Sequence, residues 1–190
     1  MYSINEIFYS LQGEGFWSGT PMIFVRFSGC NLKCPFCDTD HSMKMQLSPA
    51  ALLAMVRDCG GDCRRICLTG GEPALQVDAV LVELLHSAGY TLHIETNGTK
   101  DFPEGIDWIT VSPKTAVFDD NRADVVLKKA DELKLVYTPG CSPALWEDFP
   151  APWHFLQPCS MKNTSEVISF IKAHPLWRLS LQTHKYLDIR

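Results

Sequence analysis

The sequence has no apolar run approaching the roughly 18 residues that cross a bilayer, no cluster of lysine and arginine, and no repeat, low-complexity tract or linker. The first absence excludes a membrane-spanning helix. The second removes the electrostatic footprint of a nucleic-acid binder, and a net charge of −5 works against one as well. Residues 1–6 lack the basic-then-apolar layout of a secretory signal, so a soluble, cytoplasmic protein is expected. Thiols stay reduced in that compartment, which removes a disulfide framework as the reason for eight cysteines. At 190 residues the chain can build one well-packed core but hardly two, so a single domain over 1–190 is expected.

What is present is an alternation of β-rich runs and helical patterns. Strands are expected at 22–27, 66–69, 91–96, 108–111, 132–136, 153–157 and 177–182. Ser48 and Pro49 supply an N-cap and a proline at the first helical position, with Gly60 to close that helix. Residues 78–88 carry apolar side chains at helical spacing and stop at Gly89. Asn163 with Glu166 three residues later has the form of a capping box, opening a helix that ends before Pro175. Alternating β and α units call for parallel strands joined by crossover helices. About six such units suit a partial (β/α) barrel or an open doubly wound sheet.

In either arrangement, sites collect at the carboxyl ends of the strands. Polar, Gly- or Pro-containing segments fall there five times: Gly29-Cys30, Gly70-Gly71-Glu72-Pro73, 95–99, Ser112-Pro113-Lys114 and Gln157-Pro158. One shared rim is expected. On it, Cys30, Cys34 and Cys37 spell CxxxCxxC. Three thiolates on a tight loop can reach three corners of a 4Fe–4S cubane and leave one iron open to a cofactor or substrate. Zinc is the alternative, with His41 as a fourth ligand, although structural zinc sites usually draw on two separated pairs. The remaining cysteines, Cys59, Cys63, Cys67, Cys141 and Cys159, are dispersed. Gly60-Gly61 interrupts any helix that would align the first two, and these thiols read as small hydrophobes or surface groups.

CxxxCxxC after a first strand, with Phe36 before its last cysteine, resembles the radical S-adenosylmethionine (SAM) superfamily, and Gly70-Gly71-Glu72-Pro73 resembles that superfamily's GGEP motif. The resemblance implies a partial (β/α)6-type radical SAM barrel with abbreviated helices. It also implies that SAM's amino and carboxylate groups chelate the open iron, and that reductive cleavage yields a 5′-deoxyadenosyl radical. Within the superfamily, the chain resembles the 7-carboxy-7-deazaguanine synthase family of queuosine and 7-deazapurine biosynthesis. The matching features are Leu11-Gln12-Gly13-Glu14-Gly15, Arg26, Cys37-Asp38-Thr39, Glu95 to Thr99, Ser112-Pro113-Lys114 and the segment from Gln182 to Leu187.

That likeness implies a lyase that converts 6-carboxy-5,6,7,8-tetrahydropterin to 7-carboxy-7-deazaguanine with loss of ammonia. Hydrogen abstraction at C6 starts the ring contraction, and SAM is regenerated. It implies Leu11, Gln12, Gly13, Glu14, Arg26, Thr69 and Arg190 as substrate-binding residues. It assigns Phe36, Asp38, Gly71, Glu95, Ser112, Pro113, Lys114, Gln157, Pro158, Cys159 and Ser160 to SAM, and Thr39 to Mg²⁺. A homodimer and an electron donor such as flavodoxin or ferredoxin follow from the same likeness. The chemistry of the residues agrees in part. Arg26 shares a strand face with Met22 and Phe24, and its planar fork suits a carboxylate. A threonine hydroxyl is a weak ligand, but Mg²⁺ takes few protein ligands and keeps waters or substrate oxygens. His184 reads as a packed histidine. Two other readings of the triad stand beside this one: a radical SAM activase acting on a glycine of a partner protein, and a non-catalytic zinc or Fe–S module.

Overall fold

The structure, a computed structural model, describes residues 1–115, 118 and 123–190. In chain order, β1 (Tyr2–Leu11), β2 (Pro21–Phe27) and β3 (Met45–Leu47) precede α1 (Pro49–Gly60), β4 (Arg65–Gly70) and α2 (Ala79–Ser87). Then come β5 (Thr91–Thr96), β6 (Trp108–Val111), β7 (Glu132–Tyr137), β8 (Trp153–Pro158), α3 (Thr164–Ala173), β9 (Trp177–Leu179) and α4 (Thr183–Leu187). The strands form one sheet in the order β3-β1-β2-β4-β5-β6-β7-β8-β9. From β2 to β9 every neighbouring pair is parallel, whereas β1 runs antiparallel to both β2 and β3. Among the described residues only α1, α2 and α3 cover crossovers; β5 to β6 has no helix, and β7 to β8 has a single 3-10 turn, Pro143–Trp146. This is the partial barrel with abbreviated helices that the sequence implies. No helix among the described residues is long and apolar enough to cross a membrane.

Strand alternation separates packing from chemistry. Ile23, Val25 and Phe27 of β2, Ile66 and Leu68 of β4, and Leu92 and Ile94 of β5 pack outward against Leu52, Val56, Leu81 and Leu85 of α1 and α2. Each such side chain contributes about 1.5–3 kcal/mol by leaving water. Leu133, Leu135 and Leu156 make a second core with Val167 and Trp177. The intervening residues point into the barrel, where Phe8, Met22, Phe24 and Cys67 line its interior.

The loop between β1 and β2 closes the strand-start end. Phe16 lies 5.0 Å from Trp108 and 4.9 Å from Trp153, ring centre to ring centre, and Trp17 lies 5.4 Å from Trp108. The same loop laces the two ends of the sheet together, since Thr183 N donates to Gly13 O (2.9 Å) and Gly15 N to Ser180 Oγ (3.0 Å).

The structure corrects several local expectations. β1 carries no strand signal because a bulge between Ile4 and Glu6 interrupts its alternation. Ile4 and Ile7 therefore both pack against the outer core. Residues 180–182 are not strand: after Ser180 N bonds Leu156 O (3.0 Å), the chain turns so that Ser180 and Gln182 can reach inward. Gly60 is the last residue of α1, and the cap is Gly61 at φ 52°. Asn163 does not cap α3 through its side chain; it accepts from Cys159 N (2.9 Å) and donates to Tyr137 O (2.8 Å) instead. Ser48 and Asp78 are N-caps, accepting from Ala51 N and Leu81 N.

Candidate active site

A cavity of about 570 Å³ opens at the carboxyl ends of the parallel strands, and all five polar strand exits contribute to it. Every site residue named from the sequence lines this cavity except Pro113. Pro113 lines a smaller neighbouring cavity of about 270 Å³, which shares Phe36, Lys114 and Val136 with the first.

The cysteine loop is fastened at both of its ends. Gly29 N donates to His41 O (2.8 Å), and Asn31 bridges to the exit of β5, donating to Thr99 Oγ1 (2.8 Å) and accepting from Asn97 Nδ2 (3.1 Å). Gly70, which ends β4, and Gly71 after it pack closely on the end of β2 and the start of this loop. A Cβ on Gly71 would run into the Gly29 carbonyl oxygen, and one on Gly70, at φ +132°, into the Phe27 backbone. Cys30, Cys34 and Cys37 are free thiols on one cavity wall. Burial raises the pKa of Cys30 and Cys34; the neighbouring thiols add to that rise, and Lys114 opposes it. Among the described residues no three His, Cys, Asp or Glu groups converge on a single ion position. The other cysteines are unpaired, and Cys67 is fully buried.

Glu72 of the GGEP segment does not line the cavity. It is fully buried and ties two strand exits together from behind. Its carboxylate accepts from Ala74 N (3.0 Å), Thr96 Oγ1 (2.6 Å) and Asn97 N (2.7 Å). Burial raises its pKa against the pull of these donors.

Deeper in the cavity lies a polar network that the sequence does not announce. Lys134, at the third position of β7, pairs with Glu14 Oε2 (2.7 Å) and Glu95 Oε1 (3.3 Å). Gln157 Nε2 (3.0 Å) and Gln182 Nε2 (2.9 Å) donate to Glu14 Oε1, and Gln12 Nε2 donates to Glu95 Oε1 (2.9 Å). Burial by itself would raise Glu14, but the Lys134 charge and these hydrogen bonds hold it far below the usual carboxylate range. Glu132 lies below Lys134 on the same strand, accepts from Phe16 N (3.1 Å), and is pushed up to about 7 by burial. Glu95 thus stands with Gln12 and Lys134. One signal for Lys134 was available: charges at alternate positions of a strand, Glu132 and Lys134, mark an inward barrel face.

On the opposite wall Arg26 pairs with its cross-strand neighbour Glu6, Nε to Oε1 at 2.8 Å. Glu6 also faces Arg190, Nη1 to Oε2 at 3.7 Å, and Ser10 Oγ donates to Arg190 O. Among the described residues, the terminal nitrogens of Arg26 have no hydrogen-bond partner. The segment after β9 folds over the cavity. Lys185 pairs with Asp38, and the His184 ring packs so closely on Gly13 that a Cβ there would collide with it. Glu6, Lys134, Gln182, His184 and Lys185 thus join the site without a role read from sequence.

The radical SAM superfamily profile matches residues 24–134. The chain is 49% identical over 190 residues to 7-carboxy-7-deazaguanine synthase of Bacteroides thetaiotaomicron, covering all of both chains. It is 40% identical over 219 residues to the enzyme of that name from Nitratidesulfovibrio vulgaris, with 99% of each covered. The crystal structure of QueE from Escherichia coli superposes with a TM-score of 0.78 at 31% identity, covering 95% of this chain and 93% of that one.

Proposed function

The chain belongs to the 7-carboxy-7-deazaguanine synthase family of the radical SAM superfamily, and from that premise we propose how its own residues divide the work. The reaction is conversion of 6-carboxy-5,6,7,8-tetrahydropterin to 7-carboxy-7-deazaguanine with loss of ammonia, a lyase step of queuosine and 7-deazapurine biosynthesis. Membership of the superfamily implies a 4Fe–4S cluster and SAM. When bound, these supply a carbon-centred radical able to take a hydrogen atom from C6.

Cys30, Cys34 and Cys37 hold the cluster. The donor set supports this: three soft thiols on one loop, with no disulfide among them and with Cys37 near enough to add to the raised pKa of both Cys30 and Cys34. Gly71 lets the β4 exit press against that loop and Gly70 lets it press against the end of β2, with Glu72 bracing the exit from behind. The rim made by Phe36, Asp38, Gly71, Ser112 to Lys114 and Gln157 to Ser160 would hold SAM, since short strand exits there offer backbone groups.

Arg26 takes the substrate carboxylate. Glu6 holds its Nε, which leaves the two terminal nitrogens to grip two carboxylate oxygens side by side. Thr39, which also lines the cavity, would offer its hydroxyl to Mg²⁺; a neutral hydroxyl suits an ion that keeps few protein ligands. Gln12 and Glu14 read the far edge of the pterin; Glu95, which the family likeness assigns to SAM, stands with them because its Oε1 accepts from Gln12 and Lys134, and Thr69, Leu11 and Arg190 border the ring. The segment from Gln182 to Arg190 excludes water above the ring.

The whole chain works as one catalytic domain, cytoplasmic and homodimeric, reduced by a flavodoxin or ferredoxin. The observation that carries the assignment is that the three thiols, Arg26 and the Gln12–Glu14 loop face one cavity. Reconstituted enzyme given SAM, reductant, Mg²⁺ and the carboxypterin should release 7-carboxy-7-deazaguanine and ammonia, with SAM regenerated. Recovery of unrearranged pterin from active, cluster-loaded enzyme overturns it.

A further inference from the structure

We propose that Lys134 is a positioning residue for the pterin. Its one ammonium, paired with Glu14 and Glu95, holds two carboxylates from separate segments as a single acceptor-only edge facing the substrate's N–H donors. The inference rests on the assigned reaction and adds a residue to it.

The donor count carries the argument. Glu14 Oε1 accepts from Gln157 and Gln182, and Glu14 Oε2 accepts from Lys134. Glu95 Oε1 accepts from Gln12 and Lys134, and among the described residues its Oε2 has no partner. The free lone pairs of this edge therefore sit on Glu14 Oε2 and Glu95 Oε2. An aminopyrimidinone presents N–H groups along one edge, and ionised carboxylates are what accept from them. A proton on either acid would turn an acceptor into a donor and set it against a substrate N–H.

Two carboxylates sharing a buried site ordinarily keep one proton between them. Lys134 removes that tendency. Its side chain is 4% exposed, so neither water nor salt competes for it. Other titratable groups face Glu14 at longer range: Glu132 from the same strand as Lys134, Lys114 from the β6 exit, Cys67 from β4 and His184 from α4, with Lys185 and Asp38 beyond His184. Among titratable groups of the described residues, only Lys134 is within hydrogen-bonding distance of the Glu14 carboxylate.

The test compares Lys134→Gln with Lys134→Arg in the cluster-loaded enzyme, measuring KM and kcat for the carboxypterin from about pH 5.5 to pH 8.5. The wild type should show no acid limb in KM arising from Glu14. Lys134→Gln should raise KM at least tenfold at neutral pH, leave kcat within a few-fold, and add an acid limb in which KM climbs about tenfold per pH unit. Lys134→Arg should keep the wild-type profile, and adding Glu14→Gln to Lys134→Gln should abolish the limb. If Lys134→Gln fails to fold, Lys134→Gln with Glu95→Gln removes the acid left without a partner and should show the same limb from Glu14. An unchanged KM, or an acid limb equal in the Gln and Arg variants, overturns the proposal. Failure of the reaction assignment looks different, because the wild type itself would then leave the pterin intact.

Discussion

Replacing Glu72 by glutamine is a change of one atom, and the structure says it should be costly. The carboxylate is fully buried and receives three donors: Ala74 N and Thr96 Oγ1 on Oε1, and Asn97 N on Oε2. Thr96 Oγ1 already accepts from Gly98 N at 3.0 Å, so its hydroxyl proton is committed to Glu72. A carboxylate has only acceptors; an amide offers one oxygen and one NH₂. With the amide nitrogen at the Oε1 position it meets Ala74 N–H, and at the Oε2 position it meets Asn97 N–H. Either orientation leaves a buried backbone N–H facing another donor, which costs about 1–3 kcal/mol. Glu72→Ala strands all three donors and opens a void, for roughly 3–6 kcal/mol. In a chain of this size 1 kcal/mol moves Tm by about 2–4 °C, so Glu72→Gln should melt roughly 2–12 °C below the wild type. Urea unfolding of the reduced apoprotein, followed by circular dichroism, gives the free energies directly. Glu72→Gln matching the wild type within about 0.5 kcal/mol would refute the reasoning, since it would mean that the three donors are not jointly bound to this side chain.

Gly71→Ala should push the cysteine loop off the β4 exit because its Cβ meets the Gly29 carbonyl oxygen; iron and sulfide content after reconstitution should fall well below that of the wild type. Glu132 titrates near 4.5 when unfolded but near 7 when folded, so the folded state holds the extra proton and this residue's stabilising contribution declines as pH rises between those values. Glu132→Gln cannot ionise, so its stability relative to the wild type should improve by on the order of 3 kcal/mol between about pH 4.5 and pH 8, as read by denaturant midpoints; a gap that does not change with pH counts against the buried carboxyl. Arg26→Lys should raise KM for the carboxypterin about tenfold or more while changing kcat less, because one ammonium cannot pair with Glu6 and also grip two carboxylate oxygens; an unchanged KM would argue that the substrate carboxylate lies elsewhere.

Much of this protein follows from chain neighbours alone. Period-two alternation along β2, β4 and β5 separates core-facing from barrel-facing residues, CxxxCxxC brings three thiols onto one loop, and Ser48-Pro49 and Asp78 start their helices by local capping. Five strand exits meet on one cavity because parallel strands present their carboxyl ends on the same side. The tertiary structure decided what depends on partners distant in sequence. β1 escaped detection because its bulge breaks the alternation that marks a strand. Glu72 gave no sign that it braces the motif from behind, since its partners Thr96 and Asn97 lie a strand away. Lys134 stands 120 residues from Glu14, and only closure of the barrel brings the two within 2.7 Å. Local spacing determines which face a side chain takes; burial and the barrel determine which charge it meets there, and that meeting sets the chemistry of the pterin edge.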